Sequence, residues 1–331
     1  MSGNLVGIVL ALLGGLLVGN CMLPLKRLRV WPWECAWLIF SLISLLIVPC
    51  LIAILIVPEW PRMYVSIPLA GLLPSLLFGF GWGIAQVLFG ISVVRLGMAL
   101  GFTIIVGLGT VFGTLVPLVV RHRGELASGS SETLIASCAL MILGITLSGY
   151  AGKLRERPTQ EGSQHYFAGL IIAIVSGVLS AMLNLSLAFG DPIAHAAVQH
   201  GAGAATAVFA VWPVALCGGL IPNLAYTVYL LQKNHSWKML KHTAGDAFLS
   251  LLMGLLWIGA VAIYGVSTRY MGKLGDAAGW AIYQIAMVLT ANLSGIVTGE
   301  WKAASRRSLV MLGFGVLILV VATITTALST R

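Results

Sequence analysis

The sequence predicts an all-α integral membrane protein of ten transmembrane helices, built as two inverted five-helix repeats. Three observations predict it. Of the 331 residues, 59% are apolar and only 9% are charged, a balance outside the range of water-soluble domains of this size. Ten apolar runs are each long enough to cross a bilayer, which takes about 20 residues. One string is also written twice. Gly79, Trp82, Phe89, Gly90, Ile91, Ser92 and Arg95-Leu96-Gly97 return as Gly254, Trp257, Tyr264, Gly265, Val266, Ser267 and Lys273-Leu274-Gly275.

The runs have helical length without strand alternation, and lipid leaves backbone groups no partner outside a helix or a closed barrel, so each run reads as a helix. The first, 4–24, lacks a basic leader and a small-residue cleavage site, and reads as a retained span. The second, 33–57, opens after Pro32 with Glu34 in its first turn. The third, 67–92, carries Trp82 and Gln86. The fourth and fifth, 98–120 and 132–151, close the first repeat, residues 1–151. A polar linker follows at 152–166, where a fusion of two copies would leave its seam. The second repeat, 167–331, begins with the sixth run, 167–189, whose Gly169, Ala173, Gly177 and Leu179 echo Gly7, Ala11, Gly15 and Leu17. The seventh, 203–231, is overlong and contains Pro213, Gly218-Gly219 and Pro222, which predict a kink or break. The eighth, ninth and tenth are 246–266, 278–298 and 308–328.

Five spans per repeat is an odd number, so the second copy inserts upside down relative to the first. Inverted repeats place one site near the midplane and let it face each side in turn, the architecture of a transporter. Orientation follows from Lys and Arg. Thirteen of the 19 basic residues lie in loops after odd-numbered spans: Lys26, Arg27, Arg29, Arg95, Lys153, Arg155, Arg157, Lys233, Lys238, Lys241, Lys302, Arg306 and Arg307. The other side has Arg62, Arg121, Arg123, Arg269, Lys273 and Arg331. The positive-inside rule makes the richer side cytoplasmic, which leaves both termini periplasmic.

The same distribution accounts for the formal net charge of +9. Basic residues crowd the loops beside apolar spans, where they meet anionic headgroups, and no continuous basic face with interleaved aromatics points to nucleic acid. Cys21, Cys35, Cys50, Cys138 and Cys217 sit inside apolar runs without C-x-x-C spacing, as small packing residues. Asp191, His195 and His200 read as a surface loop without a metal-ligand pattern. An integral-membrane enzyme would need a nucleophile with its base, a metal triad or a phosphate loop, and no G-x-S-x-G, H-E-x-x-H or Walker pattern is present.

Pro24, Lys26, Trp33-Glu34 and Trp37 resemble the first hairpin of the bacterial L-rhamnose/proton symporter family. The resemblance continues through Phe78-Gly79, Trp82-Gly83-Ile84, Gly90, Arg95-Leu96-Gly97-Met98, Gly101, Gly113-Thr114 and Pro117. In the second repeat it covers Asn184, Gly218-Gly219, Asn223, Gly254, Trp257, Gly295, Glu300-Trp301 and Arg306-Arg307. It implies a drug/metabolite transporter fold in the bacterial inner membrane, importing a deoxy sugar such as L-rhamnose with a proton as coupling ion. Its partners would be the sugar, the proton and membrane lipids, with no cofactor, no metal and no obligatory oligomer. Two positions depart from the family's pattern: Ala260 stands where a polar residue is expected, and the ninth span lacks an expected histidine. The alternatives are a transporter of the same fold for a different neutral metabolite, and an exchanger of phosphorylated or nucleotide-linked sugars, in which Arg95 and Lys273 would reach the site.

A sugar site needs amides for paired hydrogen bonds and aromatic rings for stacking, and polar side chains in mid-membrane are the default candidates. Trp82 and Gln86 share one face of the third span; Trp280, Gln284 and Asn292 lie along one stripe of the ninth; Trp257 and Tyr264 share a face of the eighth. Asn20, Asn184 and Asn223 add amides on the first, sixth and seventh. Each of these residues also admits a purely structural role, the amides in interhelical hydrogen bonds and the rings in core packing. For the proton, Glu34 and Asp276 are the candidate carboxylates, although an acid in a helix's first turn also serves the helix dipole. Gln86 is answered in the other repeat by Val261, and Met98 by Asp276, so these asymmetric positions are expected to choose the cargo.

Overall fold

The computed structural model describes residues 3–96, 98–155, 163–241 and 244–329. Residues 156–162 of the predicted linker, Gly97 of the repeated string and Arg331 lie outside the described residues. Among those described, all regular structure is helical, and ten spans are long and apolar enough to cross a membrane. In chain order they are Gly3–Arg27, Trp33–Ile56, Leu69–Leu96, Leu100–Arg121, Gly129–Arg155, Phe167–Gln199, Ala207–Lys233, Ala244–Tyr270, Gly275–Val297 and Arg306–Ser329, numbered here as spans 1 to 10.

Breaks fall at different places from those predicted. Span 7 is one helix from Val211 to Lys233. Pro213 sits in its first turn, where a missing N–H costs nothing. Beside Pro222, Asn223 Nδ2 donates to the Gly219 carbonyl at 2.8 Å, so the disturbed turn keeps a side-chain bond. Span 2 carries a π turn at Ile43–Ile47, just before Pro49, whose ring crowds the carbonyl four residues back and lets the helix widen rather than break. In span 6 the helix Ser163–Ser180 stops at Ala181, resumes at Met182–Ala188, and is followed by a separate helix, Asp191–Gln199. That last helix replaces the surface loop expected around Asp191 and His195. Pro192 and Asp191 form its first turn, and its own Ile193, Ala194, Ala196 and Ala197 are buried.

The packing interleaves the two halves. Span 1 lies on spans 8 and 9, and span 6 on spans 3 and 4; span 3 runs along span 7, and span 2 along span 8; span 5 pairs with span 10, and span 4 with span 9. Exchanging the halves, span 1 for 6 through span 5 for 10, maps the set of pairs onto itself, with 5–10 and 4–9 unchanged. Segments after odd-numbered spans meet one another, as Lys26 and Arg155 do at Glu300. Segments after even-numbered spans also meet, as Glu59 and His200 do. The bundle therefore has a linker end, with the odd-span loops, and a terminal end, with the even-span loops and both termini.

Close approach depends on missing side chains. A methyl on Gly79 of span 3 would collide with the Ala215 carbonyl of span 7, and one on Gly218 with the backbone of Leu76 and Phe80. A methyl on Gly15 would lie 2.6 Å from the Tyr283 carbonyl oxygen. These seams place helix backbones in direct contact, the small-residue packing that drives association in lipid.

Candidate functional site

The predicted polar and aromatic residues lie in three layers. Nearest the terminal end, the break at Ala181 carries the fully buried Asn184 into the space between spans 4, 8 and 9. Its Nδ2 donates to the Gly113 carbonyl at 2.7 Å and to the Asp276 carbonyl at 3.0 Å, and its Oδ1 accepts from the Tyr264 hydroxyl. Trp280 Nε1 donates to the Gly109 carbonyl at 3.0 Å, and a methyl on Gly113 would strike its indole. The ring of Tyr283 stacks on Trp280 at 5.8 Å and lies 4.9 Å from Tyr264. Asn184 and Tyr264 are thus hydrogen-bonded to each other, Trp280 joins them through an edge-on contact with the Tyr264 ring at 5.6 Å, and Tyr283 is a fourth member that the ninth-span stripe did not single out.

In the middle layer Trp82 and Trp257, the same position of the two repeats, stack on each other at 5.2 Å with 25° between planes. Phe40 meets Trp257 edge-on at 6.1 Å. Gln86, one turn along from Trp82, is half-buried. Gln284, one turn along from Trp280, is 7% exposed. Among the described residues, the amides of Gln86, Gln284 and the half-buried Asn292 make no hydrogen bond. None of these amide atoms is among the fully buried ones that lack a partner, so the three leave accessible donors and acceptors open.

Toward the linker end, Trp37 stacks on Trp33 at 4.8 Å and donates to Asn223 Oδ1 at 3.1 Å. Asn20 donates to the Leu16 carbonyl at 3.0 Å and accepts from the Ser294 hydroxyl. Glu34 is buried and accepts from Asn234 Nδ2 at 2.9 Å and Ser236 Oγ at 2.6 Å, both in the segment after span 7. Asn223 and Asn20 are therefore separate from the Asn184 group.

Each end of the bundle carries a charged cluster joining the two halves. At the terminal end, Arg121 bridges Asp276 at 3.0 Å and Asp191, Arg269 reaches Asp191 at 3.5 Å, and His122 Nε2 lies 3.1 Å from Asp276 Oδ1. With Lys273 and Thr268 these residues line a cavity of about 130 Å³. At the linker end, Glu300 takes Lys26 and, at 3.1 Å, Arg155. The Lys26 ammonium, with Arg155 beside it, holds the Glu300 carboxyl below the usual carboxylate range. Asp246 accepts the backbone amides of Val30 at 2.8 Å and Trp31 at 2.9 Å. Sequence reasoning treated Arg121 as a marker of topology and did not single out His122. The available signal was the scarcity of charge in the even-span segments, where Arg121, His122, Asp191, Arg269 and Asp276 account for much of it.

Ten apolar spans enclosing aromatic stacks and unbonded amides define a multi-pass membrane transport protein. The chain belongs to the L-rhamnose-proton symport protein (RhaT) family, whose sequence profile matches residues 1–330. It is similar to the L-rhamnose-proton symporters of Yersinia pestis (strain Pestoides F) and Yersinia pseudotuberculosis serotype O:1b (strain IP 31758), at 27% identity in each case and over 96% of both chains.

Proposed function

We propose that this protein imports L-rhamnose or a related deoxy sugar together with a proton across the bacterial inner membrane, by alternating access between two inverted repeats. The observation that carries this reading is the whole-chain membership in a family of L-rhamnose-proton symport proteins. The packing supports the mechanism: every principal helix pair has a counterpart with the halves exchanged, as two similar units trading shapes would require. The bias of basic residues makes the linker end cytoplasmic and the terminal end periplasmic.

The sugar-binding groups in this reading are the Trp82–Trp257 stack, the unbonded amides of Gln86, Gln284 and Asn292, and the Asn184–Tyr264–Trp280 group, which turns toward the sugar when the terminal end opens. Asn223 and Asn20 join from the linker end in the opposite phase. Glu34 and Asp276 are the carboxylates available for proton coupling.

Purified protein in liposomes tests the reading. An inward L-rhamnose gradient is expected to alkalinise the external medium, and a sugar panel ranks the substrates. Counterflow without proton movement would remove the coupling and leave transport; neither signal with any sugar would overturn the proposal.

A further inference from the structure

Asp276 opens span 9 at the terminal end, and its side chain is 11% exposed. Two cationic or protonatable groups reach its carboxylate from the end of span 4: Arg121 Nη1 at 3.0 Å and His122 Nε2 at 3.1 Å. Its own helix contributes the Ala277 amide, 2.9 Å from Oδ1. The other charged groups around the cavity are Asp191, from the last helix of span 6, Arg269, from the end of span 8, and Lys273, just after it. Tyr264, whose hydroxyl is held by Asn184, lies within electrostatic range of Asp276.

The main chain of the same residue reaches the sugar-facing layer. The Asp276 carbonyl accepts from Asn184, which in turn holds the Tyr264 hydroxyl. One residue thus joins a charged cavity near the periplasmic surface to the group of buried side chains beneath it. Glu34 is placed differently, near the cytoplasmic surface, with the neutral donors Asn234 and Ser236 on its carboxylate. Arg121 is shared between two acids, so it keeps Asp191 as a partner if Asp276 becomes neutral.

We propose that Asp276 is the proton-reading carboxylate of the transport cycle and that His122 relays the proton to it from the periplasmic water. Resting on the symport reading above, the inference selects one acid and adds one residue. In the transfer, water in the cavity gives a proton to the outer nitrogen of His122. The Nε2–H bond breaks as the Oδ1–H bond of Asp276 forms, and the imidazole returns to its neutral form. The net change is one proton from the medium onto Asp276. The neutral carboxyl no longer holds Arg121, and the join between span 4 and span 9 loosens. A sugar hydroxyl that takes the Asn184 amide removes the other tie to Asp276. Proton and sugar therefore act on the same turn of span 9, from opposite sides.

The test compares wild type, Asp276→Asn, His122→Gln and Glu34→Gln in liposomes, reading sugar-dependent alkalinisation and L-rhamnose counterflow. Asp276→Asn is expected to lose alkalinisation while counterflow stays measurable. His122→Gln is expected to slow coupled uptake by about tenfold or more and to flatten the dependence of coupled uptake on external pH relative to wild type. Should Asp276→Asn not fold, the His122→Gln profile still decides, since a relay that does nothing leaves it unchanged. Asp276→Asn that alkalinises as wild type does, or loss of coupling in Glu34→Gln alone, would overturn the inference and leave symport standing. A wild type that moves no protons with any sugar would overturn the symport reading itself.

Discussion

Glu300 meets Lys26 at the linker end where Arg121 meets Asp191 at the terminal end, and the two pairs occupy corresponding places in the two repeats with their charges exchanged. Each joins the end of the fourth span of one half, or the residues just after it, to the last part of the first span of the other half. The linker-end pair is built to be insensitive to pH near neutrality. Because Lys26 depresses the Glu300 carboxyl in the folded protein, its contribution is fully present above the unfolded value and is lost only as pH falls through the lower, folded value. The difference in Tm between wild type and Glu300→Gln in detergent is expected to be constant from about pH 8 to about pH 5.5 and to narrow below that. A difference that changes through neutrality would assign the pair a different partner.

Trp37→Phe keeps the stacking surface on Trp33 and removes one donor. Asn223 Oδ1, whose side chain is 2% exposed, then loses the indole N–H at 3.1 Å. An unsatisfied buried acceptor costs about 1–3 kcal/mol, so thermal unfolding in detergent should fall by several degrees. An unchanged Tm would show that the carbonyl finds another donor.

How much of this was legible in the sequence differs by layer. The ten spans follow from apolar length, and Trp82 and Trp257 were legible as matching positions of the repeated string; that their rings stack on each other was not. The break in span 6 was not legible, because no Pro or Gly marks Ala181. That break puts Asn184 within reach of spans 4, 8 and 9. Of the kink or break expected in span 7, the break is absent: Val211–Lys233 is one helix, with Pro213 in its first turn and Pro222 inside it. His122 escaped notice because one histidine beside a loop carries no pattern until Asp276, 154 residues away in sequence, is brought to 3.1 Å.

The aromatic stack at mid-bundle separates packing from binding. Trp82→Phe and Trp257→Phe are each expected to preserve folding and to weaken sugar binding several-fold, in line with the ~0.5–1.5 kcal/mol of an aromatic pair beyond its buried area. Tryptophan-fluorescence titration of each variant with L-rhamnose measures it. Wild-type affinity in both would confine the pair to a structural role.

Gly79→Val is expected to abolish the folded protein, because the added side chain meets the Ala215 backbone, which cannot rotate away. Gly90→Ala is the control, since nothing lies within 4 Å of its missing methyl. Monodisperse yield on gel filtration distinguishes them; equal yields would mean that spans 3 and 7 separate more easily than their contact implies.

Those backbone seams also decide what can move. Span 3 is fused to span 7, and span 1 to span 9, so the tightest joints in the bundle tie one repeat to the other. The blocks that these seams hold together are composites, each assembled from both halves of the chain. Severing the chain between residues 156 and 162 should consequently yield two fragments that are inert apart and assemble when made together, like the two halves of a zip.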